Sequence, residues 1–145
     1  GKTIEKIPLD RFFGDAVVLD FTKTKDCITK YDLGNYSSQI KQDSIVLLKT
    51  RTKPMKSFDF DFVYLEKSGA QFLASKKVKA VGIDALGIER NQQGHPTHNA
   101  LLGKNILIFE GLELSKVKSG KYMFYGFPLK IKNADASLVR AVLVK

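Results

Sequence analysis

Three apolar runs decide the fold of this chain: IVLL at residues 45–48, AVGI at 80–83 and ILIF at 106–109. Each run has four residues and shows none of the alternation that is typical of a half-buried strand. Continuous apolar runs of this length predict strands that are covered on both faces. When such strands alternate with helices they form βαβ units, so residues 45–109 predict a parallel sheet.

Two helices are predicted between these strands. Residues 64–77 form the first, because four of its residues fall on one helical face. Those residues are Leu65, Gly69, Phe72 and Leu73. The second helix follows Pro96, with Thr97 as its N-cap and residues 98–104 as its body.

Three further strands are predicted outside this region. AVVL at residues 16–19 is another short apolar run, and the mixed segments 122–127 and 138–144 are typical of antiparallel or edge strands. A length of 145 residues fits one compact domain. We therefore interpret residues 1–145 as a single α/β domain.

The charge of the chain is strongly positive, with 24 Lys and Arg against 15 Asp and Glu, a net charge of +9. The lysines are dispersed, which favours a solvated surface over a specific nucleic-acid interface. The aromatic residues between positions 58 and 64 alternate with polar ones, as in a half-buried strand or core-facing loop rather than a base-stacking platform. No apolar run is long enough for a membrane span. Cys27 is the single cysteine, which excludes an internal disulfide and indicates a cytoplasmic protein.

Asp84, Glu110 and His98 are the candidate site residues. The two carboxylates directly follow predicted parallel strands, and the carboxyl ends of such strands meet at one rim. His98 lies at a predicted helix start, where the helix dipole disfavours a charged ring and leaves it free to bind a metal. One imidazole and two carboxylates suit Zn²⁺ or Mn²⁺. The alternative is structural: the carboxylates cap loops and His98 bonds a backbone carbonyl. His95 is a further candidate, but Pro96 holds it in the preceding loop.

Other catalytic motifs are missing from the sequence. It contains no GxSxG, Walker or GxGxxG motif, and Cys27 has no histidine near it in the sequence.

Several sequence blocks together resemble the cyclase family of metal-dependent hydrolases, which includes bacterial kynurenine formamidases and isatin hydrolases. HNALL at 98–102 followed by ILIFEGL at 106–112 is similar to the family signature His-x-x-Leu-Leu…(Ile/Val)-x-Glu-x-Leu, and Glu110 follows His98 by 12 residues. Further blocks similar to the family are GKTIEKIPL (1–9), AVVLD (16–20), VGID (81–84), GKY (120–122), FPLKI (127–131) and VRAVL (139–143).

The resemblance implies a three-layer β/β/α domain of the swivelling type, with a mainly parallel central sheet and a second, antiparallel sheet. It implies one or two divalent ions, Zn²⁺ or Mn²⁺, and a metal-activated water that hydrolyses a small-molecule amide such as the formamide of N-formylkynurenine. His98 and Glu110 would bind the second metal. Asp84 would at most contact these ligands and would not bind the metal itself. A homodimer or homotetramer is also implied, and apolar surface near Phe12 and Phe13 is a candidate for its contacts.

The sequence departs from the family pattern in three places. The family run His-x-Gly-Thr-His-x-Asp-x-Pro-x-His, which carries the first metal's ligands and the catalytic histidine, comes before the block that begins at Gly1. We therefore expect the catalytic residue upstream of Gly1, and negligible activity from residues 1–145 alone. Gly87 stands where the family often has serine, and Leu138 replaces a common proline. The alternative function is a non-catalytic cyclase-fold binding domain that has lost the first metal site.

Overall fold

A computed structural model describes residues 2–54, 57 and 60–145 and contains eight strands and three α-helices. The strands are β1 (Phe13–Asp20), β2 (Cys27–Ile28), β3 (Ile45–Lys49), β4 (Tyr64–Leu65), β5 (Ala80–Ile83), β6 (Leu107–Phe109), β7 (Gly120–Tyr125) and β8 (Val142–Val144). The helices are α1 (Lys30–Gly34), α2 (Lys67–Ser75) and α3 (Pro96–Leu102), and two 3₁₀ segments, Ile4–Lys6 and Leu9–Phe12, precede β1.

Six of the strands form the central sheet, in the order β6-β5-β3-β1-β7-β8. The first four in this order run parallel, with Ile45 opposite both Ala16 and Ala80. β7 and β8 add to the sheet in antiparallel orientation. The predicted α/β class, the mainly parallel central sheet and the antiparallel edge are therefore confirmed.

Both faces of the central sheet are covered, which explains the continuous apolar runs. Residues that alternate along β3 point to opposite sides: Val46 and Leu48 pack with the helices, while Ile45 and Leu47 pack with Phe124 on the other face. All five residues of β3 are buried. Each large apolar side chain buried in this way contributes roughly 1.5–3 kcal/mol of transfer free energy.

The second sheet consists of β2 and β4, and these strands run parallel. The prediction of an antiparallel second sheet is wrong in this respect. The reason lies in the connections: Thr29 carries β2 directly into α1, and Glu66 carries β4 directly into α2. Two adjacent strand–helix units of this kind point the same way.

The starts of both predicted helices differ from the sequence expectation. α2 begins at Lys67 rather than at residue 64, because the Glu66 side chain accepts a hydrogen bond from the Ser68 N–H and caps the helix there. α3 begins at Pro96, with His95 as its N-cap. Thr97 is not the cap: it is buried inside the helix, and its hydroxyl donates to the Leu65 carbonyl at 2.8 Å.

Exposed aromatic side chains also depart in part from expectation. Phe12 is buried in the core, so it offers no surface for subunit contacts, whereas Phe13 is partly exposed. In the aromatic segment, Phe60 is exposed, while Phe62 packs against the helix-side core. Phe58, with its neighbour at position 59, lies outside the described residues. Within the described ranges no helix has the length and apolar character needed to cross a membrane.

Candidate metal centre

His98 and Glu110 meet at the carboxyl end of the parallel strands. Glu110 directly follows β6, and His98 lies in the first turn of α3, which packs beside β6 and α2. Nε2 of His98 is 3.5 Å from Oε1 of Glu110. Their side chains are 32% and 37% exposed, so both can be reached from solvent. The structure therefore brings together the two residues that the sequence paired.

The loop before α3 fixes the Glu110 carboxylate. The backbone N–H of Ile88 donates to Oε1 of Glu110 at 2.7 Å. Ile88 itself is fully buried, which anchors that donor in the core. A charge-assisted bond from a rigid backbone amide keeps the carboxylate directed towards His98.

Asp84 directly follows β5, but its hydrogen bonds are with Thr50 and Arg51 rather than with His98 or Glu110. Its Oδ1 accepts hydrogen bonds from the Thr50 N–H at 2.8 Å and from the Thr50 hydroxyl at 2.6 Å, and its Oδ2 accepts one from the Arg51 N–H at 3.2 Å. Burial raises the pKa of Asp84, and the bonds from Thr50 offset only part of that rise. Asp84 thus joins the end of β5 to the segment after β3, and its bonds in the described part of the chain reach neither His98 nor Glu110.

Glu89 is a central residue of the site that sequence reasoning missed. Its side chain is 4% exposed. Oε1 lies 3.1 Å from Nδ1 of His98, and Oε2 accepts hydrogen bonds from the Thr97 N–H at 2.7 Å and the His98 N–H at 3.3 Å. Burial alone would raise the pKa of Glu89, but the close approach of the His98 ring, the hydrogen bond from the Thr97 N–H and the contact with the His95 ring together hold the pKa below its usual value. Glu89 is therefore a buried carboxylate that caps α3 and contacts both histidines.

His95 completes the cluster from the solvent side. It adopts a left-handed backbone conformation with φ 51°, its ring is 78% exposed, and its Nδ1 lies 2.7 Å from Oε1 of Glu89. The His95 and His98 rings meet edge to face, with centroids 5.9 Å apart. Ligand atoms of Glu89, His95 and His98 all lie within 4.8 Å of one another. The sequence signal for this cluster was present: two histidines spaced i and i+3 at a helix start, with an acid six residues before the first.

The donor set fits a divalent ion. Two ligands bound tetrahedrally at zinc distances lie about 3.3 Å apart, close to the 3.5 Å between His98 Nε2 and Glu110 Oε1. An imidazole nitrogen with carboxylate oxygens suits Zn²⁺ or Mn²⁺. Nδ1 of His98 is buried and has no aligned hydrogen bond among the described residues, and the Glu89 carboxylate is the acceptor within reach of it.

An open groove of about 530 Å³ lies apart from this cluster. The groove lies on the face of the sheet opposite the helices. Its lining residues include Leu47, Phe124, Arg140 and Leu143. Its lining residues do not include Glu89, His95, His98 or Glu110, so we do not assign substrate binding to this groove.

The fold is shared with known proteins. A solved structure of a potential metal-dependent hydrolase with cyclase activity superposes with a TM-score of 0.93 and 40% identity, over 99% of this chain and 70% of that one. Isatin hydrolase A from Labrenzia aggregata has the same fold, with a TM-score of 0.84 and 23% identity, over 98% of this chain and 65% of its own.

Sequence comparison leads to the same group. The kynurenine formamidase of Salinibacter ruber is 30% identical over 144 residues, which are 99% of this chain and 68% of that protein. This chain thus spans about two thirds of the length of each of these three proteins. The Cyclase family model matches residues 1–90. The chain belongs to the Cyclase family.

Proposed function

We propose that this chain is part of a metal-dependent hydrolase of small-molecule amides, in which His98 and Glu110 bind a divalent ion, Zn²⁺ or Mn²⁺. The observation that carries the proposal is the 3.5 Å approach of His98 Nε2 to Glu110 Oε1 at the carboxyl end of the sheet. The 30% identity to a kynurenine formamidase supports an aryl formamide, such as N-formylkynurenine, as the substrate.

Each residue of the site has a distinct task in this proposal. His98 presents the lone pair of Nε2, and Glu110 presents a carboxylate that the Ile88 N–H holds in place. An imidazole lone pair and a carboxylate together favour a cation at this point. When bound, a divalent ion supplies a Lewis acid that polarises a carbonyl and lowers the pKa of a water molecule.

The described residues bring two such donors together, whereas catalytic zinc sites commonly use three protein ligands. The resemblance to the family implies further ligands and a catalytic histidine in a His-x-Gly-Thr-His-x-Asp-x-Pro-x-His run, which residues 1–145 do not contain. We therefore expect residues 1–145 alone to bind Zn²⁺ or Mn²⁺ weakly and to hydrolyse N-formylkynurenine negligibly. Turnover by this piece that responds to added metal would contradict that expectation. We further propose that the full-length protein is a homodimer or homotetramer.

The test of the proposed function uses the full-length protein. We expect His98→Ala and Glu110→Gln each to lower the metal-to-protein ratio in elemental analysis and the hydrolysis of N-formylkynurenine. Glu113→Gln is the matched control, because the hydrogen bonds of Glu113 are with Ser115. Unchanged metal content in His98→Ala, or equal losses in the control, would refute the proposal.

A further inference from the structure

Two carboxylates contact His98, one at each ring nitrogen. Nε2 lies 3.5 Å from Oε1 of Glu110, and Nδ1 lies 3.1 Å from Oε1 of Glu89, close enough for a hydrogen bond after a small rotation of the ring although not aligned as one. A neutral imidazole carries one proton, so only one of its nitrogens can offer a lone pair to a metal. The position of that proton decides whether His98 can bind an ion beside Glu110.

We propose that Glu89 is the positioning residue that holds the His98 proton on Nδ1 and so directs the Nε2 lone pair towards Glu110. The inference rests on the proposed role of His98 as a metal ligand. Histidine ligands in metal sites commonly donate their other ring N–H to a carboxylate, which fixes both the tautomer and the ring orientation. Glu89 stands at the place where such a carboxylate is required.

The surroundings of Glu89 make its orientation rigid. Its Oε2 accepts from the backbone N–H groups of Thr97 and His98, at 2.7 and 3.3 Å, which ties the carboxylate to the first turn of α3. The side chain is 4% exposed, so water competes little for it. Since Oε2 is committed to the helix, Oε1 is the atom left to face the rings of His95 and His98.

A direct role for Glu89 as a ligand, with His95 and His98, is the competing interpretation of the same cluster. The distances favour the hydrogen-bonding role. Oε1 of Glu89 is 2.7 Å from Nδ1 of His95, an ordinary hydrogen-bond distance. Two ligand atoms on one tetrahedral zinc ion would lie further apart, at about 3.3 Å. His95 is also largely exposed.

The variant Glu89→Gln separates these roles because an amide is an acceptor on one side and a donor on the other. The Thr97 and His98 backbone donors require the amide oxygen. The amide NH₂ then faces Nδ1 of His98, which must become an acceptor, and the proton moves to Nε2. The variant therefore keeps the size and the helix cap of Glu89 but inverts the tautomer of His98.

The tautomer is measured without any metal, by long-range ¹H–¹⁵N spectra of the imidazole rings in the full-length protein, above the pH range in which histidines commonly titrate. His95→Ala and His98→Ala assign the signals of these two rings by removing each in turn. We expect the Nδ1–H form of His98 in the parent protein and the Nε2–H form in Glu89→Gln. Glu89→Asp, which restores an acceptor, is expected to return the parent form. An Nε2–H form in the parent, or an unchanged tautomer in Glu89→Gln, would overturn the proposal.

Calorimetric titration with Zn²⁺ supplies the second measurement. We expect Glu89→Gln to weaken binding by about 10- to 100-fold, as the loss of such a supporting partner commonly does, which is a larger loss than in His95→Ala, while the control Glu113→Gln binds like the parent. An equal loss in His95→Ala would overturn the proposal in favour of direct ligation by Glu89. If His98→Ala leaves Zn²⁺ binding unchanged, the proposed function fails instead, and the tautomer spectra still report whether Glu89 orients the ring.

Discussion

A Cβ atom added to Gly87 would lie 3.7 Å from Oε1 of Glu110. Its other neighbours, the Glu89 carbonyl oxygen at 3.4 Å and the Phe62 ring at 3.7 Å, are at ordinary contact distances. Position 87 therefore has room for a small side chain directed towards Glu110, the candidate metal ligand. The related family often has serine here, so the glycine removes a hydroxyl from the edge of the site.

The first prediction is that Gly87→Ser restores a polar contact at no cost in stability. We expect Gly87→Ser and Gly87→Ala to unfold within about 0.5 kcal/mol of the parent. Only the serine is expected to change KM for N-formylkynurenine, by a few-fold, since one net hydrogen bond is worth about 1 kcal/mol. Steady-state kinetics of the full-length protein measure this. Equal kinetic effects of serine and alanine would show that the hydroxyl is irrelevant.

The second prediction concerns Asp84 as a structural rather than a metal-binding residue. Asp84→Ala leaves the buried N–H and hydroxyl of Thr50 and the N–H of Arg51 without their acceptor. An unsatisfied buried donor costs about 1–3 kcal/mol, so we expect a loss of several kcal/mol in denaturant unfolding. Asp15→Ala, at an exposed position of β1, should stay within about 0.5 kcal/mol of the parent. A loss of metal content without a loss of stability in Asp84→Ala would contradict this prediction.

The third prediction is the pH dependence that Asp84 imposes. Burial raises its pKa in the folded state above the ordinary value of 3.8, so the folded protein holds this proton more tightly than the unfolded chain does. Unfolding then releases a proton, and the free energy of unfolding contributed by Asp84 falls as pH rises through the window between the two pKa values. We expect the stability of the parent relative to Asp84→Asn to decrease from pH 3.8 upwards and to level off above the folded pKa. Guanidinium unfolding at a series of pH values decides it, and a difference that grows with pH would be the contrary result.

The central sheet could be predicted from the sequence because burial on both faces makes its strands unusually apolar. β5 has the predicted bounds, and β3 and β6 differ from them by one residue each. His98 and Glu110 could be paired because each lies next to one of these predictable elements. The physical signal was local in every case.

Glu89 was not predicted, although its spacing from the two histidines is visible in the sequence, because its contacts depend on the path of a loop. Glu89 caps α3 by accepting a hydrogen bond from the N–H of Thr97, eight residues further along the chain. The N-cap preference of threonine had predicted Thr97 itself as the cap. The loop also contains Asn91 and His95 in left-handed conformations, which no periodic pattern indicates. The two-residue strands β2 and β4 were missed for a related reason, since they are too short to show a period.

The fourth prediction is that the positive charge does not create a specific nucleic-acid site. The net charge of +9 is spread over many lysines, so DNA binding should be independent of sequence and sensitive to salt. With about six phosphate contacts, counterion release predicts a loss of affinity on the order of a thousandfold between 50 and 200 mM salt. A mobility-shift assay with unrelated duplexes measures this. Tight, sequence-dependent retention at physiological salt would contradict it.

The last prediction compares two helical glycines whose surroundings differ. A Cβ on Gly69 of α2 would lie 2.8 Å from the Ile28 carbonyl oxygen, whereas a Cβ on Gly34 of α1 would meet nothing within 4 Å. The Ile28 carbonyl cannot easily retreat, because it accepts a hydrogen bond from the Glu66 N–H at 3.0 Å. We therefore expect Gly69→Ala to destabilise the protein by about 1–3 kcal/mol through overpacking, even though alanine is the better helix former.

Gly34→Ala serves as the matched control for this pair. With open space around the site, alanine should stabilise the protein by about 0.4–1 kcal/mol, chiefly by reducing the conformational freedom of the unfolded chain. Denaturant midpoints of the two variants should thus move in opposite directions from the parent. If both substitutions raised the midpoint, α2 would not approach β2 as closely as Gly69 indicates, and the packing of the helical layer against the small sheet would need to be revised.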